Sequence, residues 1–285
     1  MTATIIESAA APGTADRKAP ARRTPEGYRV TLPRVIRSEW IKLRSLRSTV
    51  YTLLAAVGIM LGFGALFAYL TTTGEADGGP GPQGVFDATA TSLGGVNLAQ
   101  LAIGVLGVLL VTGEYSTGMI RASLAAVPQR LPVLWAKLAV FTAIATATMV
   151  AASLAAFLIG QAILSGEGTQ TDLGEPGVAR AVVGAGLYLA GVGVLGVALG
   201  SVLRSTAGAI ATLFGVLLVL PIFGQLLPAS FADAMQYLPS NAGQAVMAVQ
   251  QGADSLAPWT GFGVFATYLA AAIVAAAVLL QRRDA

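Results

Sequence analysis

The chain has 285 residues, of which 55% are hydrophobic and 11% charged, with a mean hydropathy of +0.73. A soluble domain carries roughly 25% charged residues, so a water-solvated globule is excluded. There is no Cys and no His, which removes disulfides, thiolate metal sites, cysteine nucleophiles and the commonest general base.

Residues 1–30 are rich in Ala, Pro, Thr and Arg without a sustained apolar run, and read as a disordered tail rather than a signal peptide. From Leu32 the pattern changes. Leu32, Ile36, Trp40 and Leu43 recur at helical spacing while Arg34, Arg37, Lys42 and Arg44 lie mostly off that stripe. This predicts an amphipathic helix over 32–48, lying in the membrane interface. Six apolar stretches follow, at about 50–70, 94–112, 138–160, 181–202, 207–227 and 259–280. Each is about 20 residues, enough to cross ~30 Å of hydrocarbon as a helix. The expected fold is an all-α polytopic membrane domain over 31–285.

If each stretch crosses once, 16 of the 17 basic residues fall on one side, and only Arg180 is left for the other. The positive-inside rule then places both termini in the cytoplasm. The pI of 9.4 therefore reflects orientation and contact with anionic lipid, and nucleic acid is not an expected partner. Trp40, Trp135, Trp259, Tyr51 and Tyr69 all sit at predicted span ends, where amphipathic rings settle. Gly58 with Gly62, and Gly186, Gly193, Gly196 and Gly200, read as small faces for helix packing.

No motif for catalysis is present. Lys18, Lys42 and Lys137 are followed by Ala, Leu and Leu, so there is no P-loop, and without His there is no Ser-His-Asp triad. None of the spans holds an acid near its middle, where ion-coupled pumps keep one. The chain is not expected to be an enzyme, and any energy for transport is expected from outside it. Glu114, at the end of the second span, is expected to sit at the wet interface and pair with Arg121 or Lys137. In the second span Asn97, Gln100, Gly104, Gly107 and Val111 share one helical side. Asn97 and Gln100, with Thr212 and Gln225 of the fifth span, are candidates for a substrate path. Pro221 is expected to kink or end the fifth helix, and residues 228–258 to form short external helices punctuated by Pro239 and Pro258.

The loop between the second and third spans reads Gly113-Glu114-Tyr115-Ser116-Thr117-Gly118-Met119-Ile120-Arg121 and continues through Leu124 and Val127 to Pro128 and Arg130, with Lys137 beyond. Met119, Ile120, Leu124 and Val127 give a short helical periodicity suited to lying on a partner surface. This acidic residue, Thr-Gly pair, short helix, Pro, Arg and following Lys resemble the coupling segment of ABC transporter permeases of the ABC-2 type. Glu39-Trp40-Ile41-Lys42-Leu43-Arg44-Ser45 resembles that family's elbow helix, and Leu238-Pro239-Ser240-Asn241 its region before the last span. Ser116-Thr117-Gly118 departs from the Gly-Thr order of many members.

The resemblance implies a type V exporter fold and a permease subunit in the bacterial cell membrane. Such a subunit pairs with a second one, identical or related, and with a cytosolic ATPase that binds ATP and Mg; this chain itself would bind no cofactor. Glu114, Thr117, Gly118, Arg121, Pro128 and Arg130 would belong to the coupling segment. Met119, Ile120 and Leu124 are expected to fill a groove on the ATPase while Arg121 and Arg130 steer docking. The exported substrate is unspecified, with an amphiphile favoured by the uncharged spans. An ion-coupled carrier and a non-transporting membrane scaffold or sensor are the alternatives.

Overall fold

A computed structural model describes residues 31–74, 86–120, 130–224, 226, 228, 231–250 and 255–282. The amino-terminal tail, Arg121, Leu124, Pro128 and Gln225 lie outside them. Among the described residues there is no strand, and six helices are long and apolar enough to cross a membrane. The amphipathic helix α1 (Leu32–Ser45) starts with Pro33 in its first turn and ends with Lys42 and Arg44 in its last. The fixed φ of proline suits a helix start, and cations suit the negative end of the helix dipole. Leu46 takes an extended backbone (φ −81°, ψ 109°) that ends α1 and turns the chain into the first span (Arg47–Thr72).

The second span (Val96–Ser116), third (Leu131–Glu167), fourth (Val178–Leu203), fifth (Thr206–Gly224) and sixth (Pro258–Arg282) complete the set. All six spans reach further at the basic end than hydropathy alone indicates. Glu114 lies inside the last turn of the second helix rather than beyond it, and the third begins well before Lys137.

The fourth span is the central post: its apolar stretch is 83% buried, against 17% for the fifth and sixth spans. Glycine on several of its sides explains why. A Cβ at Gly196 would run into the backbone oxygen of Gly104, and one at Gly107 into that of Gly193, so the second and fourth spans meet backbone to backbone. A Cβ at Gly186 would come within 2.5 Å of Val150 Cα on the third span, and one at Gly191 within 2.6 Å of Phe265 on the sixth. The predicted small faces of the fourth span are therefore packing faces. Gly58 and Gly62 differ, since a Cβ at either meets nothing within 4 Å. The first span turns that side outward because it contacts its neighbours through Ala56, Met60, Gly64 and Ala68 instead.

A short helix, Ala88–Ser92, precedes the second span. Asp87 caps it, its Oδ1 accepting from the backbone N–H of Thr89 (2.8 Å) and Ala90 (3.0 Å), the N-cap role that short acidic side chains fill best. Gln161 of the third span donates to Ala88 O (3.1 Å) and Ser92 Oγ (3.0 Å) and accepts from Thr171 N (2.7 Å), which fixes the short helix against the third span. In the fifth span Pro221 does not end the helix. A π-helical turn, Gly215–Val219, comes just before it and the α-helix resumes over Leu220–Gly224. A wider turn at this point accommodates a residue that lacks an N–H and whose ring crowds the preceding carbonyls. The described helix runs to Gly224, and Leu226 lies in a turn.

The stretch before the sixth span forms the expected short helices, Ala232–Met235 and Pro239–Gln244, with Pro239 in a first turn. Asn241 Nδ2 donates to Met235 O (2.9 Å), tying one to the other. Arg180, the one basic residue on this side, donates to Val246 O and Ala248 O (both 2.9 Å). It thus fastens this stretch to the start of the fourth span. The three tryptophans are 48%, 48% and 62% exposed, Trp40 within α1 and Trp135 and Trp259 near the starts of their spans, as interfacial anchors should be.

Candidate functional site at the basic end

Helical arithmetic places the first part of the site. Val35, Glu39 and Leu43 are four residues apart and therefore share the face of α1 that packs inward, and all three are buried. Leu32, Trp40 and Ile41 face outward. The expected apolar stripe divides: Leu32 and Trp40 are exposed while Leu43 packs inward, on a face that also carries a carboxylate. The driving force is pairing. Glu39 Oε2 accepts from Lys137 Nζ of the third span at 2.8 Å, and Glu39 Oε1 from Lys42 Nζ at 2.7 Å. Glu114 Oε1 of the second span accepts from both lysines, at 2.9 Å from Lys137 and 3.3 Å from Lys42.

Two cations and two anions thus alternate around a ring, each cation touching both anions. The ring is formally neutral, which is what makes its burial tolerable: the Lys137, Glu39 and Glu114 side chains are 5%, 3% and 9% exposed. An unpaired charge in that position costs several kcal/mol. Burial disfavours ionised Glu39, but attraction and hydrogen bonding from Lys137 and Lys42 outweigh it and hold its carboxyl below the usual range. Burial likewise disfavours charged Lys42, and Glu39 and Glu114 overcome it, raising its ammonium above the usual range. The result is a charged knot joining α1, the second span and the third. Of the two partners expected for Glu114, Lys137 is seen beside its buried carboxylate, and Arg121 lies outside the described residues.

The same knot is where the loop towards the third span departs. Thr117 Oγ1 donates to Gly113 O (2.8 Å), and Gly118 takes φ +72°, a left-handed conformation that glycine adopts without strain and that ends the helix. Met119 is 44% exposed. Ile120 is not: it is buried in a small cluster with Val35, Val133 and Ala136. Expected to face a partner, Ile120 instead spends its apolar surface holding the loop start under α1. Arg130, the residue before the third span, donates to Leu280 O of the sixth span at 3.3 Å, and Arg204 lies over the Tyr115 ring at 5.2 Å. The basic ends of five helices, α1 and the second, third, fourth and sixth spans, therefore converge.

The substrate-path candidates divide. Gln100 is buried, its Oε1 accepting from Tyr188 OH (2.5 Å) of the fourth span and its Nε2 donating to Asn97 O (3.0 Å). The side of the second span carrying Gln100, Gly104 and Gly107 is thus committed to packing within this chain, which removes it from any open route. Asn97 is exposed, Oδ1 accepting from Gln244 Nε2 (3.2 Å) at the opposite end of the bundle. Thr212 is exposed on the fifth span and does not join them. Sequence reasoning passed over Glu39, Lys42, Tyr188 and Gln244 as site members. For Glu39 the four-residue spacing with Val35 and Leu43 held the signal; for Tyr188 and Gln244 no local pattern did.

Among the described residues no cluster of three or more acidic side chains forms that could hold a metal. The basic end offers fixed charges and a departing loop, which suits mechanical linkage to a partner. Residues 35–219, more than half of the chain, match the family model for ABC-2 family transporter proteins. The chain belongs to this family of transporter membrane proteins, and is a multi-pass membrane component of an ABC transporter. No curated protein matches it in sequence.

Proposed function

We propose that this chain is the permease subunit of an ATP-driven exporter, with its basic end in the cytoplasm of a bacterial cell and its ATP and Mg bound by a separate ATPase. The reading rests above all on one observation: the loop after Gly118 departs from a buried knot of four charges joining three helices. A push on that loop by a closing ATPase is passed to α1 and the second and third spans together, because a desolvated ion ring resists being pulled apart piecemeal. Rigid-body rocking of these helices then alternates access to a path formed with a second permease subunit. Met119, Arg121, Leu124, Pro128 and Arg130 are the proposed contacts and guides for the ATPase, and Thr212 and Gln225 are the remaining proposed members of the path.

Co-expression with a candidate ATPase in inverted vesicles tests this. Substrate uptake should need ATP, survive an ionophore, and fall on Arg121→Glu while the ATPase alone keeps its basal hydrolysis. Uptake abolished by the ionophore and indifferent to ATP would replace the reading with an ion-coupled carrier.

A further inference from the structure

Beside the charged knot lies a cavity of about 220 Å³ between the end of α1, the start of the first span and the end of the second. One side is apolar, built from Leu43, Leu46, Leu106, Leu109 and Leu110, and the other carries hydroxyls beside Lys42, Glu114 and Lys137. Leu46 and Leu109 are 46% and 40% exposed, so the cavity borders the lipid-facing surface at the basic end. One atom in it is unexplained. Glu114 Oε2 is buried and has no hydrogen-bond partner, although Oε1 of the same carboxylate accepts from two lysines. A buried carboxylate oxygen left without a donor costs more than a typical hydrogen bond gains.

The hydroxyls around it do not supply that donor. Thr52 donates to Ser48 O, and Ser116 and Thr117 donate to Gly113 O; Ser48 and Thr49 also line the cavity, and neither bonds Glu114 Oε2. An ionised carboxylate oxygen can only accept, so the missing group is a donor. A single water takes up roughly 30 Å³, far less than this space, and the leucine side of the cavity offers water no hydrogen-bond partner. The occupant is therefore a donor head carried on an apolar tail. The ion ring is already neutral, so a bare cation would leave it with an excess positive charge, whereas a zwitterion would not. Arg44 and Arg47 are exposed at the α1–first span junction that the cavity borders, where a phosphate would be welcome.

We propose that this cavity binds one resident bilayer lipid with a primary ammonium headgroup, of the phosphatidylethanolamine type. The ammonium donates to Glu114 Oε2, the phosphate meets Arg44 and Arg47, and the acyl chains run along the leucines. The site does not depend on the ATPase and stands or falls apart from the transport reading.

The full chain, reconstituted in phosphatidylcholine nanodiscs, is exposed to a trace of diazirine-bearing phosphatidylethanolamine or of its choline counterpart, which has the same charges but three N-methyl groups in place of the N–H donors. The ethanolamine probe should label the end of the second span at least about tenfold more strongly, the worth of a charge-assisted hydrogen bond. Gly113→Leu fills the cavity: Gly113 lines it, and a Cβ there meets nothing within 4 Å. That variant should fold normally, keep the ion ring, and lose labelling by about tenfold. Excess dodecylamine should leave the labelling in place, since it lacks the phosphate. Equal labelling by the choline probe, labelling untouched by Gly113→Leu, or no labelling at all would overturn the lipid site, and full displacement by dodecylamine would hand the cavity to a free amine instead.

Discussion

The basic end and the seam between the second and fourth spans solve the same problem, joining helices without a hydrophobic driving force, by opposite means. At the seam Gly104 and Gly107 meet Gly196 and Gly193 through backbone contact, and stability comes from closeness alone. At the basic end Glu39, Lys42, Glu114 and Lys137 are joined by charge, with contacts of 2.7–3.3 Å. A glycine seam tolerates no added atom, while an ion ring tolerates changes of shape but not of charge balance. The seam suits a static post and the ring suits a joint that must transmit force without coming apart.

The largest effect should come from violating the seam. Gly107→Val drives a Cβ into the Gly193 carbonyl, and overpacking against backbone should cost about 3 kcal/mol or more. Little monodisperse protein should survive detergent extraction. Next is Lys137→Met, which leaves two buried carboxylates sharing one lysine; a loss of about 3–5 kcal/mol is expected in chemical unfolding. Replacing all four ring residues with Leu or Met should recover most of that stability, since a dry ion ring and a packed apolar patch differ little in free energy. The fourfold variant should still fail to couple ATP hydrolysis to transport; if it couples, the ring is only structural.

Arg180→Lys should cost about 1–3 kcal/mol, because one ammonium cannot reproduce the forked bonds to Val246 O and Ala248 O. Its readout is faster proteolysis near residue 248. The pH dependence of the melting temperature sharpens the account of the ring. The depressed Glu39 value means its contribution is complete above the ordinary glutamate pKa of about 4.3 and is lost as pH falls through the lower folded value. The raised Lys42 value means its contribution is complete below about 10.4 and is lost as pH climbs through the higher folded value. A flat plateau between those limits is expected, and Lys137→Met should move its acid edge upward.

The smallest effect belongs to Gly58→Ala and Gly62→Ala, whose added methyls meet open space. Helix propensity alone should make each neutral or stabilising by up to about 1 kcal/mol. A clear loss in the assembled transporter, absent from the isolated chain, would place a second subunit on that face.

The apolar lengths and charge asymmetry of the chain read out six helices and their order, because the need to satisfy every backbone group in lipid leaves few alternatives. Glu114 with Lys137 was also legible, since both lie near span ends facing the same side. Ile120 was misread because Met119, Ile120 and Leu124 give a periodicity that does not say whether its apolar face meets a partner or the chain's own α1. Gln100 was misread because an amide in a span looks like a wet-path residue until Tyr188, 88 residues away, supplies its donor.

Composition, hydropathy and basic-residue placement by themselves determined that this protein is a six-span helical membrane protein with one strongly cationic end, since each depends on the local cost of putting a residue in lipid. Which helix became the post, which glycines pack and which are bare, and that Glu39 turns inward to close a ring reaching Lys137, 98 positions away, were decided only in three dimensions. Those outcomes depend on pairings between distant residues, and the free energy of a pair belongs to neither partner's local sequence.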